Sequence, residues 1–195
     1  MNLSQRPDKT IEIRKCADNS VCTDLRELRV GDECLLSGPI YTVRDATCKR
    51  LIEEMEEQGA LPYGLEGQML FFAGPTPARA GQPIGSIGPT TARRMDAATV
   101  ALMGAGIIAT LGKGSRSPEI AEVCKRVDGV YFGAVGGIAA LSAQQVRDAQ
   151  MIAYEELGCE ALMRLDLVEF PVFVALDTEG TDWYQEAPKQ FLESI

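Results

Sequence analysis

Between Gln68 and Leu176, short apolar runs alternate with helix-patterned stretches, and the runs close on glycine loops. Gln68–Ala73, Ile107–Thr110 and Val130–Val135 are followed by Gly74–Pro83, Gly112–Gly114 and Gly136-Gly137. The first of these runs reads as a buried strand and the other two as strands. Between them, Ala92–Met103 and Pro118–Val127 read as helices, with Pro118 suited to a first turn. Residues 162–168 and 171–176 read as two late strands parted near Phe170-Pro171, before a turn at Thr178-Glu179-Gly180. Strand–helix alternation of this kind implies an α/β layered fold. Loops at strand ends are where such folds place ligands.

The first third is less regular. Residues 1–9 read as a polar arm, and residues 10–195 as one domain. Thr10–Arg14 alternates like a strand. Cys34–Gly38 and Ile40–Arg44 read as strand segments bent at Gly38-Pro39. Asp45 is placed to cap a helix from Ala46 to Gln58, closed by Gly59.

Composition excludes several function classes. The 28 acidic against 19 basic residues argue against a nucleic-acid partner. Met1–Pro7 lacks the apolar core of a signal peptide and no stretch approaches a membrane span, so a cytoplasmic protein is expected. The chain has no histidine, which rules out a Ser-His-Asp or Cys-His nucleophile within it. Acid–base chemistry here needs carboxylate, lysine, tyrosine, cysteine or an activated hydroxyl. Six cysteines, Cys16, Cys22, Cys34, Cys48, Cys124 and Cys159, form no C-x-x-C pair. They read as small buried hydrophobes.

The run from Gly85 to Asp96, Gly-Ser-Ile-Gly-Pro-Thr-Thr-Ala-Arg-Arg-Met-Asp, carries the strongest chemical signal. A loop of glycine and proline meets two threonines at a helix start, with Arg93 and Arg94 in the first turn. Helix N-termini attract anions, whereas arginines there oppose the helix dipole. A bound anion reconciles the two, although a capped helix with solvated arginines fits as well. Arg44, Arg94 and Lys113 stand where strands hand over to loops or helices. Convergent guanidinium and ammonium groups would hold a small dicarboxylate, while each alone reads equally as a surface ion-pair residue. By spacing, Thr90 or Thr91 would cap the helix, and Arg94 falls one helical turn beyond Thr90.

The run also resembles a family signature, "GSxGPTTxxRMD". It belongs to the beta subunit, or C-terminal domain, of the iron–sulfur hydro-lyases comprising class I fumarate hydratase and L(+)-tartrate dehydratase. Ser37–Tyr41 with Arg44-Asp45, Phe72–Pro77, Gly112–Gly114, Gly136–Leu141 and Glu169–Asp177 agree in order and spacing, so the resemblance spans roughly residues 10 to 184. It implies a swivelling β/β/α domain. It implies that Arg44, Arg94, Lys113 and Gly88 bind substrate carboxylates, and that Thr90 moves the proton at the reacting carbon with Arg94 favouring the alkoxide; Thr91 is then left as the cap. It also implies a [4Fe-4S] cluster held by a partner alpha subunit, a dimer of alpha–beta pairs, and the fumarate–malate reaction. L(+)-tartrate dehydration is the alternative substrate reading, and a non-catalytic anion- or phosphate-binding module the alternative class. Cys48 stands where relatives commonly carry histidine.

Overall fold

The computed structural model describes residues 9–12 and 24–193. Of the arm expected over residues 1–9, only Lys9 is among them, opening a strand β1 of Lys9–Glu12; Cys16 and Cys22 lie outside the described residues. The order continues β2 (Glu33–Val43), α1 (Asp45–Gln58), β3 (Met69–Phe72), α2 (Asp96–Gly104), β4 (Ala109–Gly112), α3 (Pro118–Val127) and β5 (Val130–Gly133). Then come α4 (Ala139–Ser142), β6 (Val146–Ala153), β7 (Leu162–Leu176) and α5 (Trp183–Glu193).

Neighbouring strands run β1-β2-β3-β4-β5-β7-β6, and β2 also pairs with β7. The extra pairing closes β2, β3, β4, β5 and β7 into a five-stranded barrel within a mixed α/β fold. β2 through β5 are parallel, each crossover made by a helix, whereas β7 returns antiparallel between β5 and β2. β1 lies parallel to the first half of β2, and β6 antiparallel to the first half of β7.

Two strands expected on either side of Gly38-Pro39 are one, and so are the two expected around Pro171. Their ladder shifts register between Leu36 and Gly38. Gly38 takes φ of 110° on one strand, and Glu169 takes 50° on the other, with its N–H on the Ser37 hydroxyl at 3.0 Å. A bulge of this kind bends and twists both strands, which lets two long strands wrap a small barrel.

Strand periodicity divides the interior into two cores. Met69, Phe71, Leu111, Val130 and Phe132 point into the barrel beside Leu36, Ile40, Leu165 and Val174. Leu70, Phe72 and Tyr131 point outward under the helices, meeting Leu51, Leu102, Met103, Ile120 and Val123. All four residues of β3, β4 and β5 are buried, which explains their unbroken apolar runs. β4 begins at Ala109 rather than Ile107 and includes Gly112. The helix expected from Ala92 is divided into a 3-10 turn, Ala92–Met95, and then α2. No described helix is long and apolar enough to cross a membrane.

Candidate active site

The C-terminal ends of four adjacent parallel strands gather the residues that the sequence singled out. Arg44 directly follows β2, Gly74 lies just beyond β3, Lys113 directly follows β4, and Gly136-Gly137 follows β5. A strand's last carbonyls need partners, and between β3 and β4 the segment around Thr90 supplies them. The Thr90 N–H donates to the Phe72 carbonyl at 2.7 Å, and its hydroxyl donates to the same oxygen at 3.1 Å. The Thr90 carbonyl accepts the Lys113 N–H at 3.1 Å, and Ala92 N–H donates to the Lys113 carbonyl at 3.0 Å. Thr90 and Lys113 are therefore fixed to each other through their backbones. The exposed Lys113 side chain runs along the next loop, where a Cβ on Gly136 would lie 3.5 Å from both Cδ and Nζ.

The two arginines arrive from the other side, each leaning on a carboxylate. Arg44 Nη2 lies 3.3 Å from Glu160 Oε1, its Nη1 lies 4.0 Å from the Cys159 sulfur, and its buried Nε has no hydrogen-bond partner. A Cβ on Gly74 would approach Arg44 Cδ to 3.0 Å and the Cys159 carbonyl to 2.5 Å, so glycine is required for this close fit. Arg94 Nη2 lies 3.2 Å from Asp45 Oδ2. Because Asp45 follows Arg44 in the chain, this pair draws Arg94 to the end of β2. Both members of the Arg94–Asp45 pair are nearly half exposed, so the pairing is weak and a ligand carboxylate could replace Asp45.

Several local expectations need correction. Asp45 is the first residue of α1, not its cap; Glu160 reaches across to accept the Ala46 N–H at 2.9 Å and accepts the Thr47 hydroxyl through its backbone carbonyl. Thr91 occupies the N-cap position before the 3-10 turn but makes no capping bond with its side chain, and the Thr90 hydroxyl turns back to β3. In a 3-10 turn, residues four apart do not share a face, so Arg94 is placed by Asp45 rather than by helical spacing from Thr90. Gly88 is close-packed: a Cβ there would lie 3.2 Å from Ala139 Cβ.

Cys48 is buried on α1 within the outer core, and burial, helped by the Asp45 carboxylate, pushes its thiol up to about 12. It remains a neutral, apolar filler. Cys34 and Cys124 are buried too, whereas Cys159 is exposed beside Arg44, against the expectation that all were core residues. Among the described residues no three cysteine, aspartate or glutamate side chains gather to hold a metal ion, so none of them fits an iron–sulfur cluster. Cavities of about 260 and 430 Å³ open elsewhere on the molecule, the larger beside Thr76, Arg79 and Ser86.

Sequence reading missed Asp45 and Glu160 as the partners of the two arginines. Their only signal was acidic character beside Arg44 and in a turn far along the chain. It also missed Arg116, which is buried beneath the rim.

Comparison with known proteins shows which family the chain resembles. The chain is 35% identical to the anaerobic class I fumarate hydratase of Escherichia coli over 168 residues, covering 85% of this chain and 31% of that enzyme. It thus spans about a third of the length of the class I fumarate hydratases it matches. It is 34% identical to the L(+)-tartrate dehydratase subunit beta of Escherichia coli, covering 87% of this chain and 86% of that subunit. Identity is also 34% to a putative L(+)-tartrate dehydratase subunit beta of Methanocaldococcus jannaschii, covering 88% and 91%. A family model described as Fumarase C-terminus matches residues 2–187, and the chain belongs to that family.

Proposed function

We propose that this chain is the substrate-clamping half of a hydro-lyase, acting on a four-carbon dicarboxylate together with an alpha subunit. The observation that carries the reading is the joining of Thr90 and Lys113 at the ends of β3 and β4, beside a rim that also holds Arg44 and Arg94. Arg44 and Arg94 would take carboxylate oxygens through the guanidinium fork, trading part of their contact with Glu160 and Asp45. Lys113 would add a point charge, and the Gly88 segment would line the approach. Thr90 would move the proton at the reacting carbon: its oxygen gains the proton on dehydration and returns it on hydration. A threonine hydroxyl is a poor base in water, and neighbouring cations favour its alkoxide.

The proposed reaction is the reversible hydration of fumarate to (S)-malate. The match to nearly full-length tartrate dehydratase beta subunits favours a second reading, L(+)-tartrate to oxaloacetate. The reading places the [4Fe-4S] group on the partner, where it would supply Lewis-acid activation of the substrate hydroxyl. A dimer of alpha–beta pairs in the cytoplasm, with this chain as a swivelling β/β/α domain, completes the proposal.

The test is anaerobic co-expression with the cluster-bearing partner, followed by assay on (S)-malate, fumarate and L(+)-tartrate. The expected result is turnover of one of these by the complex, and none by this chain alone. Turnover by this chain alone, or a purified cluster-loaded complex inert on all three, contradicts it.

A further inference from the structure

Beneath the rim lies a charged side chain that the proposed chemistry does not use. The Arg116 guanidinium is 1% exposed. Its Nε donates to Asp96 Oδ1 at 2.6 Å, its Nη1 to the Thr110 hydroxyl at 3.2 Å, and its Nη2 to the Thr99 hydroxyl at 2.9 Å. Its plane is flanked by two rings, with the guanidinium carbon 5.1 Å from the Phe72 centroid and 4.7 Å from that of Tyr131.

Each of these contacts ends on an element that leads into or follows a rim segment. Phe72 supplies the carbonyl that binds both the N–H and the hydroxyl of Thr90. Asp96 opens α2 directly after the turn bearing Arg94, and its second oxygen accepts the Ser117 N–H at 2.7 Å, fixing the far end of the Lys113 loop. Thr99 donates to the carbonyl of Met95, the last residue of the Arg94 turn, at 2.8 Å. Thr110 sits on β4, three residues before Lys113. Tyr131 donates its hydroxyl to the Gly114 carbonyl, beside Lys113, at 2.9 Å.

A buried ion pair is weak support for stability, because apolar residues of equal volume often serve as well. Apolar packing, however, has no direction, whereas a planar fork with three bonds and two stacked rings fixes orientation in several elements at once. We infer that Arg116 is the positioning residue of this site, holding the Thr90 segment, the Arg94 turn and the Lys113 loop in mutual register. It touches no substrate and acts through the residues above it. The inference rests on the proposed hydro-lyase reading for its kinetic consequence, but not for its structural one.

The experiment compares Arg116→Lys with Tyr131→Phe in the partner-assembled complex, below the unfolding range of each. Backbone hydrogen exchange is read first. Arg116→Lys keeps the charge but loses the fork, and protection of the Thr90, Ala92 and Lys113 amides should fall at least about tenfold while the β2–β7 ladder is unchanged. Per folded molecule, kcat should drop and KM rise, each by about tenfold or more. Tyr131→Phe, which frees only the Gly114 loop, should raise KM several-fold with kcat within about twofold. If Arg116→Lys does not fold, Thr99→Val replaces it and should give the same localised loss of protection on a smaller scale. Unchanged protection at Thr90 and Lys113, or a loss spread equally over the β2–β7 ladder, overturns the inference. Should wild-type complex fail on every dicarboxylate, the hydro-lyase reading falls, while the exchange pattern still decides the role of Arg116.

Discussion

The rim and the layer beneath it use the same residue type in opposite ways. At the rim, Arg94 is nearly half exposed and meets one carboxylate at 3.2 Å, and Arg44 keeps a buried Nε without a partner. One layer down, Arg116 is closed off from solvent and bonded through all three guanidinium nitrogens. Loose pairing leaves a guanidinium free to take a ligand oxygen at little cost. Complete pairing makes the buried group part of the frame. On the proposed reading the rim arginines bind and the buried one supports, and substitution should separate the two.

The largest expected effect on stability comes from the lower layer. Asp96→Ala strands the buried Arg116 charge and should cost about 3–5 kcal/mol. For a chain of this size that lowers the thermal midpoint by roughly 6–20 °C. A calorimetric midpoint within a degree or two of wild type would show that the pair is not part of the frame. Arg94→Ala and Lys113→Ala should do the reverse. Their stability should change by less than about 1 kcal/mol, while KM for the accepted dicarboxylate rises by about tenfold or more. Arg94→Lys should also be impaired, because it keeps the charge but loses the fork. Rim variants that lose stability with unaltered KM would collapse the comparison.

A separate effect, carried by the core rather than the rim and confined to alkaline conditions, appears on raising the pH. Burial pushes the Cys48 and Cys124 thiols up to about 12 from 9.0. The folded state therefore keeps protons that the unfolded chain releases. Their contribution is fully present below 9.0 and is lost as the pH climbs from there toward about 12. Each thiol should steepen the fall in stability by about 1.4 kcal/mol per pH unit in that window. Cys48→Ala should flatten the slope by that amount in urea unfolding across the same range, and an unchanged slope would mean that its thiol ionises freely.

The parts of the fold legible in the sequence are those where one strand sees the same surroundings on both faces. β3 and β5 stand out because inner and outer cores both demand apolar side chains. β6 was missed because it is an edge strand of mixed polar and apolar residues without regular alternation, exposed or half-buried except at Val146, and held by pairing to β7. α5 was hidden by Pro188 inside it, and the continuity of β7 by Pro171. At the site, residue types and strand-end positions of Arg44 and Lys113 were legible, since they follow from local chain order. The Arg44–Glu160 contact joins residues more than a hundred positions apart, and the burial of Arg116 depends on rings from β3 and β5. Neither leaves a local pattern. The spacing of Thr90 and Arg94 misled for a related reason, because tertiary bonds turned the helix start into a 3-10 turn.

Thr90 gives the most direct test, since its hydroxyl caps no helix and donates instead to the Phe72 carbonyl at 3.1 Å. Steady-state kcat should be measured for Thr90→Ala, Thr90→Ser and Thr91→Ala in cluster-loaded complex with the partner, with thermal midpoints alongside. The account predicts that Thr90→Ala folds, assembles and binds substrate but loses about 10²-fold or more in kcat, that Thr90→Ser keeps appreciable turnover, and that Thr91→Ala leaves kcat nearly unchanged. Turnover by Thr90→Ala at close to the wild-type rate would contradict it, leaving Thr90 as a clasp between β3 and β4 and nothing more.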